Sequence, residues 1–117
     1  MSKHPIVHVE FSAQDPGAAA KFYAELFGWK ITPMPEMNYF TFDAEGGPGG
    51  GFPAVGEQTQ AGDVLAYVAT DDIEASLAKA ESLGGKAVVP KTEIPSIGWF
   101  AMFADPTGNM VGLFTGV

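Results

Sequence analysis

The chain contains no cysteine, few basic residues and no long apolar run. Without cysteine, disulfides, thiolate chemistry and cysteine-ligated zinc or iron–sulfur sites are excluded. No segment approaches the roughly 20 consecutive apolar residues that cross a bilayer. The N-terminus lacks a basic segment followed by an apolar one, so we expect a cytoplasmic protein with no membrane partner.

The shortage of basic residues leaves a strongly acidic chain. Fourteen Asp and Glu against 6 Lys and Arg give a formal net charge of −8. Such a charge repels the phosphates of nucleic acid and of anionic membranes, so neither is an expected partner. The charge favours solubility, and it is also compatible with attracting a cationic small molecule.

What is present is an ordinary globular composition with an internal repeat. The 117 residues are 46% hydrophobic and 17% charged, which predicts one domain over 1–117. Two helix-like patterns end in similar segments, Leu26–Lys30 and Ser82–Lys86, whose glycines lie 56 positions apart (84 − 28). The same offset aligns Ile6–Phe11 with Gly62–Tyr67 and Asp15 with Asp71. Copies this short have to share one core, with module one at about 5–56 and module two at about 63–117.

Each half is predicted to run strand, helix, strand, strand, strand. In the first half the predicted strands are Ile6–Ala13, Trp29–Thr32, Tyr39–Phe42 and Gly51–Val55, with a helix that Asp15 caps and Gly28 ends. In the second half they are Leu65–Thr70, Lys86–Pro90, Trp99–Ala104 and Met110–Thr115, with a helix from Asp72 through Leu83. A glycine-rich loop is predicted over Glu45–Gly51, a linker over Gly56–Gly62 and a tight turn over Asp105–Asn109.

Five segments, in this order, resemble the vicinal oxygen chelate superfamily of glyoxalase I, extradiol dioxygenases and bleomycin-resistance proteins. They are His8–Phe11, Asp15-Pro16, Lys21–Lys30 (KFYAELFGWK), Val68–Ala75 and Phe103–Asn109 (FADPTGN). More narrowly, the chain resembles small glyoxalase-related bacterial proteins. The resemblance implies an α+β fold in which two βαβββ modules in tandem form curved sheets around a cleft. It also implies a homodimer.

Metal-dependent members of this superfamily hold one divalent ion with side chains on the first and last strands of each half. His8 fits the first-strand position of half one, but the aligned residue of half two is Val64. Gly112 stands where the last strand of half two carries an acid, and Gly50–Pro53 offers no donor side chain in half one. One ligand of four is present, whereas a divalent ion needs three or four converging donors. We therefore expect no metal cofactor, with a divalent metal as the alternative.

His8 and Glu10 are the candidate catalytic residues, because alternation along a strand places both side chains on one face. Glu10 could orient the imidazole of His8, which would act as a general base. The pair could equally be a structural hydrogen bond, since such pairs also form for structural reasons.

The rest of the predicted cleft is apolar. The candidate ligand-binding residues are Tyr39, Val64, Ala66, Trp99, Met102 and Gly112. A glycine in a ligand position is expected to enlarge the cleft, which favours an apolar or flat aromatic molecule. The predicted function is therefore binding of a small apolar, aromatic or cationic molecule, with the metal site largely lost. The alternative is a metal-dependent or metal-free lyase, isomerase or dioxygenase that uses His8 and Glu10.

Overall fold

The computed structural model describes residues 3–56 and 60–117. The described residues form both strands and helices, and the fold is α+β, as predicted. In chain order the elements are β1 (Ile6–Phe11), α1 (Pro16–Phe27), β2 (Lys30–Met34), a 3₁₀ turn (Pro35–Met37), β3 (Tyr39–Asp43), β4 (Gly49–Phe52), β5 (Val64–Ala69), α2 (Ile73–Ser82), β6 (Lys86–Ile94), β7 (Gly98–Ala104) and β8 (Met110–Gly116). The predicted order of two βαβββ modules is confirmed. Part of the predicted linker Gly56–Gly62 lies outside the described residues.

The chain divides into two compact units. Val7–Leu65 forms one, called here the N-terminal module, and Ala66–Val117 with residues 3–6 forms the other, the C-terminal module. In the N-terminal module the strands lie in the order β2-β3-β4-β1, and β1 and β4 are parallel. In the C-terminal module the order is β5-β8-β7-β6, and β5 and β8 are parallel. The prediction of one domain over 1–117 stays a prediction.

Both helices begin at an aspartate cap. The Asp15 carboxylate accepts from the backbone N–H of Ala18 at 3.1 Å, and the Asp72 carboxylate accepts from that of Ala75 at 3.0 Å. Each bond satisfies an N–H that has no partner within the helix. Gly28 ends α1 in the left-handed conformation, with φ 75°.

One face of each sheet packs on its helix. In the N-terminal module Ala20 of α1 packs with Phe42 and Phe52, and Phe11 and Trp29 surround them. Trp29 stacks on Phe42 with ring centroids 4.4 Å apart. In the C-terminal module Ile73 of α2 packs with Ala101 and Leu113, and Val68, Leu77, Trp99 and Phe103 surround them. Because strand side chains alternate, these clusters identify the helix-facing side of each sheet.

The glycine-rich segment differs from its prediction. Gly49, Gly50 and Gly51 belong to strand β4 and pair with His8, Val9 and Glu10 of β1. A Cβ at Gly50 would overlap the carbonyl of Val9, and one at Gly49 would lie 2.6 Å from the carbonyl oxygen of Phe42. These glycines therefore allow a close approach of strands, whereas composition alone indicated a loop.

Candidate functional site

Strand β1 presents His8 and Glu10 on the side of the sheet away from α1. Phe11 packs into the cluster under α1, so the alternating residues His8 and Glu10 point to the opposite side. The His8 side chain is 31% exposed and that of Glu10 is 12% exposed. Solvent therefore reaches the imidazole more readily than the carboxylate.

Tyr39 of β3 connects the two side chains. Its hydroxyl donates to Glu10 Oε2 at 2.6 Å and lies 2.7 Å from His8 Nε2, while His8 Nε2 and Glu10 Oε2 are 3.5 Å apart. Because the hydroxyl proton is directed at Glu10, the Tyr39 oxygen accepts from His8, which requires the hydrogen of His8 to be on Nε2. We call this His8–Tyr39–Glu10 group the Tyr39 bridge.

The Tyr39 bridge depends on a glycine between its strands. Strand β4 lies between β3 and β1, and Gly51 pairs with both Thr41 and Glu10. A Cβ at Gly51 would overlap the hydroxyl of Tyr39. The phenol therefore crosses β4 in the space that any larger residue at position 51 would occupy.

The C-terminal module contains a similar pair. Tyr67 of β5 is opposite Gly112 of β8, and a Cβ at Gly112 would overlap the Tyr67 ring. Tyr67 and Met102 are both buried, and Met102 also pairs with Gly112. Gly112 was expected to enlarge a cleft, but this expectation is wrong because the ring of Tyr67 fills the space. Leu65 and Tyr67 alternate with smaller residues along β5, and this pattern was the sequence signal for the position of the Tyr67 side chain.

Three predicted cleft residues lie on the helix-facing side of the C-terminal strands. Trp99 packs against the cluster of Ile73, and so does Val68 of β5. Val64 and Ala66 alternate in step with Val68 and share its side of the strand. The prediction that Val64 and Ala66 face the other side is therefore wrong, and the structure places Trp99, whose face the sequence left open, on the helix-facing side.

The repeat offset explains this error. It aligned Asp15 with Asp71, but the helix caps are Asp15 and Asp72. A displacement of one residue transfers every side chain of a strand to the opposite face. Tyr39 and Met102, by contrast, lie on the side away from the helices, because Phe42 and Ala101 mark the helix-facing side.

In the described part of the chain, the side chains around His8 do not provide a complete set of metal ligands. No group of three or more His, Asp and Glu side chains that could hold an ion occurs in residues 3–56 and 60–117. His8 and Glu10 supply two donors, and Tyr39 is hydrogen-bonded to one atom of each. The other histidine, His4, donates from Nδ1 to the carbonyl of Ala69 at 2.9 Å.

Comparison with known protein families identifies the family of this chain. A model of the glyoxalase-like domain matches residues 8–114. The chain belongs to the glyoxalase-like domain family. This confirms the resemblance to the vicinal oxygen chelate superfamily, and the match extends over both modules.

The individual relatives described next have low sequence identity to this glyoxalase-like domain. It is 29% identical to the anthracycline biosynthesis protein DnrV of Streptomyces peucetius over 85% of the chain, and spans only 42% of that protein. It is 29% identical to a glyoxylase-like domain-containing protein of Didymella fabae, covering 92% of the chain and 90% of that protein. A superfamily member of the glyoxalase/bleomycin resistance/dioxygenase type from Vibrio splendidus 12B01 has the same fold. The two structures align with a TM-score of 0.67 at 14% identity, over 96% of this chain and 98% of that one.

Neither helix among the described residues has the length and apolar character that crossing a membrane requires.

Proposed function

We propose that this glyoxalase-like domain binds a small organic molecule on the sheet face that carries the Tyr39 bridge, and that it does so without a divalent metal. The observation that carries the proposal is the position of the Tyr39 hydroxyl, 2.7 Å from His8 Nε2 and 2.6 Å from Glu10 Oε2. These two atoms are the candidate metal ligands, and both are hydrogen-bonded to the neutral phenol of Tyr39.

The count of donors supports binding without metal. A catalytic divalent ion takes three protein ligands and keeps further positions for substrate. A metal at His8 Nε2 would replace the hydrogen there and break its bond to Tyr39. A typical hydrogen bond contributes about 0.5–1.5 kcal/mol, and two donors offer little to offset its loss.

The chemistry of the face supports an aromatic or cationic ligand. Met34 pairs with Tyr39 across β2 and β3, so an apolar side chain lies beside the phenol on the same side. The Glu10 carboxylate is a favourable neighbour for a cationic group, and the net charge of −8 attracts cations over longer distances. The relative DnrV is named for anthracycline biosynthesis, and anthracyclines are flat aromatic molecules that carry an amino sugar.

Titration with an anthracycline tests the ligand class. We expect saturable quenching of the compound's fluorescence by the protein. Tyr39→Phe should weaken binding by about tenfold, the equivalent of one hydrogen bond. Tyr23→Phe is the matched control, because Tyr23 stacks on Phe52 under α1, away from the bridge. No saturable binding by anthracyclines or other aromatic cations, or equal loss in both variants, would contradict the proposal.

Melting curves with divalent ions test the absence of metal. We expect manganese, nickel or magnesium chloride to change the melting temperature by no more than about 1 °C relative to sodium chloride of the same ionic strength. Protein purified without chelator should contain far less than one equivalent of metal. One equivalent that is lost in His8→Ala would instead favour the alternative of a metal-dependent enzyme.

A further inference from the structure

A cavity beside helix α2 of the C-terminal module lies apart from the Tyr39 bridge. The cavity has a volume of about 340 Å³ and is open to solvent. Ser76 and Ala80 of α2 form one wall together with Leu83, which follows the helix, and Val68 and Phe103 of the sheet form another. Val68 and Phe103 belong to the helix-facing side of this sheet, so the cavity is separate from the face that carries Tyr67. Its volume is at the lower end of the range for small-molecule sites, about 300–1,000 Å³.

The charges at the cavity balance. Lys79 contributes one cation and Asp105 one anion. The Asp105 carboxylate accepts from Thr107 and Asn109 of its own turn, with three contacts at 2.9 Å. An ionic ligand would therefore meet one like charge and gain little, whereas a neutral molecule would bury apolar surface against Val68, Leu83 and Phe103.

His4 forms part of the wall in an unfavourable backbone conformation. Its φ is 58°, in the left-handed region that non-glycine residues seldom occupy. Its Nδ1 donates to the carbonyl of Ala69 at 2.9 Å, and the N–H of Ala69 donates to the carbonyl of Pro5 at 2.9 Å. These two bonds hold the imidazole ring at the cavity. Residues in such conformations are concentrated at ligand clamps, where the surrounding structure offsets their cost.

We propose that this cavity binds a small, neutral, aromatic molecule, with Phe103 and the His4 ring as its aromatic contacts. The apolar walls supply the affinity, and the balanced pair of Lys79 and Asp105 disfavours ionic competitors. This site is distinct from the proposed face around Tyr39, and the two can be tested separately.

Indole is a suitable probe, observed by amide chemical shifts of ¹⁵N-labelled protein. We expect binding with a dissociation constant on the order of 1 mM, and shift changes at Val68, Ser76 and Phe103. Ala80→Phe fills the cavity and should weaken binding at least about tenfold. Ala78→Phe is the matched control, because Ala78 is exposed on the same helix and is not part of the cavity wall.

The outcomes separate this site from the first one. Tyr39→Phe should leave indole binding at the cavity unchanged, and His4→Ala should reduce it. Equal indole binding in Ala80→Phe and Ala78→Phe, shift changes restricted to His8 and Tyr39, or no shifts at millimolar indole would overturn the proposal. If Ala80→Phe does not fold, the shift map of the unmodified protein still decides between these outcomes.

Discussion

At the scale of single residues, two tyrosines occupy space that belongs to neighbouring strands. Tyr39 lies over Gly51 and Tyr67 lies over Gly112. Gly51 and Gly112 lie in the last strand of each half. In the metal-dependent proteins that the sequence resembles, these strands carry metal ligands. Here a glycine and a tyrosine together fill each position, so the residue type at 51 or 112 cannot change without moving an aromatic ring.

Gly112→Ala should therefore destabilise the protein. The new Cβ would overlap the Tyr67 ring, and such overpacking costs about 1–3 kcal/mol. Gly47→Ala is the control, because a Cβ there meets nothing within 4 Å and its φ is not positive. The free energy of unfolding in urea measures both. Equal values for the two variants would show that Tyr67 moves aside without cost.

Asp105 is the residue whose titration should deviate. The backbone hydrogen bond from Asn109, together with hydrogen bonds from Thr107, holds the pKa of its carboxyl below the ordinary value. A lowered pKa in the folded state means that its stabilisation is present above the unfolded pKa and is lost as the pH falls through the folded pKa. We expect a carboxyl titration by NMR with its midpoint below the ordinary value, and a higher midpoint in Thr107→Ala, which removes the hydroxyl that donates to Asp105. A midpoint at or above the ordinary value would contradict this.

At the scale of elements, caps and turns define the boundaries. Asp15, Asp72 and Gly28 act as the sequence predicts, and the Asp105–Asn109 turn connects β7 to β8. Strand β6 differs, because it extends to Ile94 instead of ending at Pro90, with register shifts around Val89. A proline is tolerated there because β6 is the outer strand of the C-terminal order.

The cap of α2 can be tested by two substitutions at one position. Asp72→Ala removes the acceptor for the N–H of Ala75 and should lower the free energy of unfolding by about 1 kcal/mol. Asp72→Asn keeps an oxygen acceptor and should cost much less. Urea denaturation of both variants measures the difference, and a similar cost in both would mean that charge, not capping, is what Asp72 contributes.

At the scale of the whole molecule, the negative net charge affects the stability of the fold. With 14 acidic and 6 basic residues, self-repulsion opposes folding at low ionic strength. We expect the melting temperature to rise between about 0.01 M and 0.15 M sodium chloride, as the Debye length falls from about 30 Å to about 8 Å. An unchanged or falling melting temperature would show that attractive ion pairs outweigh the repulsion.

The homodimer and the cytoplasmic location stay predictions. Light scattering at micromolar concentration would test the first, since an exposed sheet edge favours pairing with a second chain. The alternative of an enzyme that uses His8 and Glu10 also stays open to test, by the metal analysis and by activity of His8→Ala.

The sequence by itself determined the order of elements, the helix caps, and the shared face of His8 and Glu10. Each of these depends on residues a few positions apart, where spacing and dihedral preference are sufficient. The third member of the Tyr39 bridge could not be found in this way. Tyr39 and His8 are separated by 31 positions, and β4 lies between their strands.

Only the tertiary structure decided which side chains meet on the face away from the helices. A repeat offset wrong by one residue placed Val64 and Ala66 on that face, although the predicted strand order was correct. The reason is geometric: side chains alternate with a period of two, so a face is determined by the register of paired strands and not by composition. Gly51 illustrates the same point, because its role becomes visible only when the phenol of Tyr39 crosses above it.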